Sequence, residues 1–216
     1  VDKYIHRYIA VSRYVRDSMI QKNLEKNRIV TLPNFNLSSK VEKDSFVGEY
    51  FFYYGRLEVQ KGIIEFLHAL KYFKHIPLKI AGQGSITNDL KSLCNQNNLN
   101  VEFLGQLEQV ELTSYIRNSL CVVVPSIYHE PFGLVAIESL SKSKFVLAKK
   151  VGGIKDIIID GYNGFLYNSE NSLLNKIKYI HNNREKLNNL NINAFHSSYK
   201  YNSDNYYNNI MNVYQS

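Results

Sequence analysis

Residues 50–62 read Y-F-F-Y-Y-G-R-L-E-V-Q-K-G, an aromatic run that ends in a glycine-bounded loop carrying two cations. Tyr50 to Tyr54 reads as a strand, so Arg56 and Lys61 project beyond its carboxyl end, where open α/β sheets bind ligands. A second stretch, E-P-F-G-L-V-A-I-E at 130–138, follows the apolar run Leu120 to Pro125. Pro131 is expected in the first turn of a helix there, which leaves the Gly133 and Leu134 amides at a positive helix end. Both stretches place anion-holding chemistry directly after a strand, with charges that would be unfavourable in a core.

Working outward, short apolar runs alternate with segments of helical period. Tyr8 to Ser12 reads as a strand, Arg13 to Lys22 as a helix and Arg28 to Leu32 as a strand. Pro33 to Gly48 is polar and aperiodic, a linker that places a domain boundary near residue 45. Strands at 50–54, 78–81, 101–104, 120–124, 145–148 and 164–167 then alternate with helices at 62–72, 87–96, 108–118 and 132–141 and a short one at 154–159. Helices over 173–182 and 184–195 follow. Strands separated by helices imply a parallel sheet covered on both faces, so the fold class is α/β, Rossmann-like. The expected divisions are 1–45, 46–202 and a C-terminal docking helix at 203–216. On that last helix Tyr206, Tyr207, Ile210, Met211 and Tyr214 share one side.

Composition narrows the function classes. The chain has 216 residues, 44% of them hydrophobic, which suits a packed globular domain. Lys and Arg outnumber Asp and Glu by 26 − 19 = 7, a balance that serves phosphates, anionic lipid headgroups or nucleic acid. The cations are spread along the chain without a basic block, which argues against a nucleic-acid partner. Cys94 and Cys121 lack metal-ligand spacing, and a reduced, cytoplasmic setting is expected. No stretch of about 18 apolar residues is present, so no spanning helix is expected.

These motifs resemble the retaining GT-B glycosyltransferases of glycosyltransferase family 4, which pair a G-R-x-x-x-x-K-G loop with E-x7-E. Arg56, Lys61, Glu130 and Glu138 match that pattern. The likeness continues through Val11-Ser12, Leu32-Pro33-Asn34, Ala81 to Gly84, Phe103 to Gly105, Pro125-Ser126, Gly152-Gly153 and Asp160 to Gly164. It implies the C-terminal, donor-binding half of such an enzyme, the front half with the acceptor site and a Gly-rich loop being absent. Arg56, Lys61 and Glu130 would then be catalytic, the two cations neutralising the departing diphosphate and Glu130 touching the donor sugar. Glu138 would accept from the ribose hydroxyls, with Phe132, Gly133 and Leu134 at the helix start beside the phosphates. Gly82 and Gly84, with the turn Gly105-Gln106-Leu107, would lie beside the nucleotide.

Each assignment has a plainer counterpart. Arg56 and Lys61 alone are two surface cations in a turn, Glu130 a favourable charge at a helix start, and Glu138 a solvent-facing helix residue. Glycines that simply make turns account for Gly82 and Gly84, and Thr87 breaks the G-x-G-x-x-G fingerprint of a dinucleotide enzyme. Gly152 and Gly153 are expected to open a short helix towards the same crevice, and His129 to contribute shape rather than acid/base chemistry. The chain has no D-x-D motif and no Cys/His cluster, so metal-independent transfer without a cofactor is expected. The resemblance implies a nucleoside diphosphate sugar as donor, with UDP- and GDP-sugars as the first candidates. The acceptor, a saccharide or lipid-linked carrier, would be met through the front half, with peripheral membrane contact. A non-catalytic nucleotide-binding or interaction module on the same fold is the competing reading.

Overall fold

The computed structural model describes residues 4–36 and 48–215; the expected boundary near residue 45 lies outside them. Six parallel strands form the main sheet, β3 (Phe51–Tyr54), β4 (Leu78–Ala81), β5 (Val101–Gly105), β6 (Cys121–Val124), β7 (Val146–Lys149) and β8 (Gly164–Tyr167). Their spatial order is β5-β4-β3-β6-β7-β8. The chain runs outward from β3 to β5, returns to lay β6 beside β3, then runs outward the other way. Strand order therefore reverses between β3 and β6, and a crevice opens beyond their carboxyl ends.

Right-handed crossovers put helices made on the outward and return journeys on opposite faces. α2 (Ile63–Leu70) and α3 (Thr87–Gln96) cover one face, and α4 (Gln109–Asn118) and α5 (Leu134–Ser141) the other. Two later helices close the layers: α6 (Glu170–Asn182) packs on α2 and α7 (Asn188–Ser198) on α5. Every residue of β3 and β6 is buried, as expected for central strands covered on both sides. Side chains alternate accordingly. Phe51 meets Phe66 of α2 at 5.6 Å between ring centroids, whereas Phe52 stacks on Tyr54 at 5.5 Å and on Tyr115 of α4 at 5.8 Å.

The N-terminal segment forms a two-stranded parallel sheet, β1 (Tyr8–Ala10) with β2 (Ile29–Thr31), joined through α1 (Arg13–Gln21). Ser12 caps α1 by accepting from the Val15 amide and donates its own proton to the Pro131 carbonyl at 2.5 Å. Arg13 grips Asp156 with its backbone amide and its Nε, at 2.7 and 2.8 Å.

Some element limits differ from the sequence reading. The helix expected over 184–195 is broken into a 3₁₀ turn, Arg184–Lys186, and α7, with the buried Leu187 between them. The short helix expected at 154–159 is a 3₁₀ segment at Gly152–Asp156. The last helix, α8 (Ser203–Gln215), half-buries Tyr206 and Ile210. Tyr206 lies 4.6 Å from the Phe35 ring, while Tyr207, Met211 and Tyr214 remain exposed.

Candidate active site

The crevice at the reversal point has a volume of ≈ 780 Å³ and is lined by Arg56, Lys61, Glu130, Phe132, Gly133 and Leu134, with Val11 and Asn34 across from them. Two loops, one after β3 and one after β6, are knitted together to build it. The Ile127 and Tyr128 amides both donate to the Gln60 carbonyl, at 3.1 and 3.2 Å. Gly62, at φ 71°, ends the 3₁₀ turn Val59–Lys61, and a Cβ there would lie 2.1 Å from the Pro125 carbonyl oxygen. Only glycine allows that approach.

Lys61 and Glu130 meet across the loops, Nζ to Oε1 at 2.6 Å. The Ser126 hydroxyl donates to the same Oε1, also at 2.6 Å. Oε1 is thereby committed to two donors, whereas Oε2 carries no hydrogen bond among the described residues. The pair is partly buried, with side chains 26% and 15% exposed, so its attraction is screened less than that of a surface pair. Arg56 is exposed and carries no ion pair among the described residues. Its loop is held by the Tyr53 hydroxyl, which donates to the Arg56 carbonyl at 2.8 Å.

The Glu130 backbone is fixed from behind. Gly153 donates its amide to the Glu130 carbonyl at 2.8 Å. A Cβ on Gly152 would fall 2.3 Å from the Glu130 oxygen, and one on Gly153 2.4 Å from that of Pro131. These two glycines let one backbone rest on another. Pro131 does not lie in the helix: α5 begins three residues later, after Gly133, whose φ of 126° is closed to a helical start at that residue. The Leu134 and Val135 amides, in the first turn, donate to no partner among the described residues, as expected of orphan helix-start groups. Glu138 therefore lies one turn into α5 rather than two.

Glu138 is half-buried, and both of its oxygens are occupied. Oε2 accepts from the Tyr54 hydroxyl at 3.1 Å, and Oε1 from the Gln109 side-chain amide at 3.2 Å. Gln109 opens α4 two residues beyond Leu107, so the turn Gly105-Gln106-Leu107 and Glu138 are neighbours. A second hollow of ≈ 550 Å³ is lined by Gly82, Gly84, Lys91, Phe103 and Gly105. Gly82 donates to the Gly105 carbonyl at 2.6 Å. The α-carbons of Gly82 and Gly84 press on the loop after β3, where Cβ atoms would lie 2.0 and 2.1 Å from the Gly55 and Leu57 oxygens. His129 is exposed and turns its ring edge to Tyr14 at 5.5 Å.

Burial pushes the Tyr53 hydroxyl well above its ordinary pKa, helped by the Glu130 charge and opposed by Arg56; burial and then the Glu138 charge do the same to Tyr54. Both phenols stay protonated and donate. Ser126, Tyr54 and Gln109 make contacts to the two glutamates that the motifs alone did not assign to them. Ser126, four residues before Glu130, was within reach of a local reading; the other two act across 84 and 29 residues.

A family model described as glycosyl transferases group 1 matches residues 40–197. An uncharacterized glycosyltransferase of Methanocaldococcus jannaschii is 35% identical over 184 residues, covering 83% of this chain and 50% of that protein. A glycogen synthase of Mycobacterium tuberculosis is 31% identical over 118 residues, or 52% of this chain and 28% of its own. The chain thus spans half or less of these curated relatives. Among solved structures, Anabaena HepE in complex with UDP superposes with a TM-score of 0.90 at 19% identity, covering 99% of this chain and 65% of its own. TarM of S. aureus gives 0.87 at 22% identity, covering 100% and 44%.

Proposed function

The chain belongs to the glycosyl transferases group 1 family and has the C-terminal-type domain of the GT-B fold, and on that footing we propose that it is the donor-binding half of a retaining, family 4 glycosyltransferase. The observation that carries this reading is the arrangement of Arg56, Lys61 and Glu130 around the start of α5. One carboxylate oxygen is held by Lys61 and Ser126, and the free α5 amides face the same crevice. A diphosphate fits the cations and amides, and a sugar hydroxyl fits the remaining Glu130 oxygen.

Transfer breaks the bond between the anomeric carbon and the diphosphate oxygen, which takes the electron pair. Arg56, Lys61 and the helix amides stabilise that growing charge, which lowers the barrier. The acceptor hydroxyl then bonds to the anomeric carbon on the same face and passes its proton to the departing phosphate. The fixed charge of Arg56 and Lys61 takes the place of a divalent ion in this scheme. Glu138 receives the ribose hydroxyls, and the turn Gly105-Gln106-Leu107 lies beside the base. UDP is the first donor nucleotide to try, since HepE and TarM were each solved with it, and GDP the second. The acceptor side, saccharide or lipid-linked, belongs to the front half, to which residues 1–45 and the exposed face of α8 are also assigned. No helix among the described residues is long and apolar enough to cross a membrane.

The test is a metal-free titration of UDP and GDP, read by ligand-detected NMR so that millimolar binding is visible, with Glu138→Ala alongside. The expected result is selective binding of one nucleotide, weakened at least tenfold in the variant. Equal, non-selective binding that survives Glu138→Ala would overturn the reading and favour a crevice used for another interaction.

A further inference from the structure

We propose that Tyr54 is a positioning residue for the nucleoside end of the site: its hydroxyl holds Glu138 in the orientation that receives the ribose. This rests on the donor-site reading above. Tyr54 ends β3, and its hydroxyl lies 3.0 Å from the Val135 carbonyl, 3.1 Å from Glu138 Oε2 and 3.2 Å from Ser139 Oγ. A phenol has one proton to give. Ser139 already spends its own on Val135, at 2.7 Å, so that carbonyl is satisfied and Ser139 Oγ is left as an acceptor. Of the three neighbours, the carboxylate is the strongest acceptor, and a charge-assisted bond takes the proton.

The cost of this arrangement points to a use. The strand reads Phe51-Phe52-Tyr53-Tyr54, and all four side chains are buried. Phenylalanine at position 54 would keep the stacking on Phe52 without desolvating a hydroxyl, which is unfavourable unless the hydroxyl is bonded. The hydroxyl makes that bond to a carboxylate on a neighbouring helix, 84 residues away in sequence. Tyr54 holds Oε2 in a part-buried contact, which leaves Oε1 as the more exposed of the two Glu138 oxygens. Among the described residues Oε1 is held by the longer, exposed bond from Gln109, a bond that a ribose hydroxyl can replace.

The test compares wild type, Tyr54→Phe, Glu138→Gln and the double variant in binding UDP, 2′,3′-dideoxy-UDP and pyrophosphate. Tyr54→Phe is expected to raise the Kd for UDP about fivefold and to leave those for dideoxy-UDP and pyrophosphate within twofold. In the Glu138→Gln background it should add nothing, because the two groups act as one. A general loss for all three ligands, or additive losses in the double variant, would overturn the proposal and leave Tyr54 a packing residue. If wild type fails to distinguish UDP from dideoxy-UDP and Glu138→Gln has no effect, the donor-site reading itself fails instead. Unchanged UDP binding in Tyr54→Phe beside a weakened Glu138→Gln would sink only the role of Tyr54.

Discussion

Glu130 and Glu138 lie eight residues apart and are held in opposite ways. Glu130 stands on a loop, neutralised by Lys61 on an oxygen that also accepts from Ser126, with its backbone seated on Gly153. Glu138 stands on a helix and is held by two neutral donors, a buried phenol and a side-chain amide, so its charge is not cancelled by a partner. The first arrangement suits a place where charge moves during a reaction, because a fixed ion pair can rebalance as a phosphate leaves. The second suits recognition, where an unneutralised carboxylate makes strong bonds to hydroxyls.

Removing the cation breaks the first end most severely. Lys61→Ala in the protein with both halves is expected to lower the sugar-transfer rate about 10²–10³-fold, the scale of losing one group that stabilises developing charge. Glu138→Ala should act mainly on KM for the donor nucleotide. Steady-state kinetics separates the two, and equal effects on the same parameter would erase the contrast. Next in size is the backbone seat. Gly153→Ala brings a Cβ within 2.4 Å of the Pro131 oxygen, and thermal or urea unfolding should show about 1–3 kcal/mol of lost stability, with donor affinity reduced as the Glu130 loop shifts.

Salt distinguishes the ends more gently. Raising ionic strength from about 0.01 to about 0.15 M shortens the screening length from about 30 Å to about 8 Å. The UDP affinity should fall several-fold, while that of uridine, which carries no phosphate, should change little. The smallest effect is expected from Ser126→Ala, which removes one of two donors to Glu130 Oε1 and should slow transfer about threefold to tenfold. A larger loss than from Lys61→Ala would mean that Ser126, not the ion pair, fixes that carboxylate.

Much of this architecture was legible. The strands at 78–81 and 164–167 and the helix at 87–96 coincide with the expected limits, because flanking polar and glycine residues mark where the period changes. Arg56, Lys61 and Glu130 do gather in one crevice, since each follows a strand whose carboxyl end faces the same side, whereas Glu138 is not among the residues that line it. The start of α5 was misjudged: Pro131 favours a helix's first turn, but Gly133 at φ 126° and the packing of Gly152 and Gly153 on the Glu130 loop delay the helix to Leu134. A proline preference is local, whereas that delay comes from a contact made about twenty residues later in the chain.

The sequence by itself determined the alternation of strand and helix, the parallel sheet that follows from it, and which charges sit at strand ends, because periodicity and steric preference act over a few residues. Only the tertiary structure decided that β6 lies beside β3, that Ser126 and Lys61 share one oxygen of Glu130, and that Tyr54 rather than solvent holds Glu138. Those outcomes depend on strand order and on hydrogen-bond geometry between residues distant in sequence, where a single buried proton must be assigned among several acceptors.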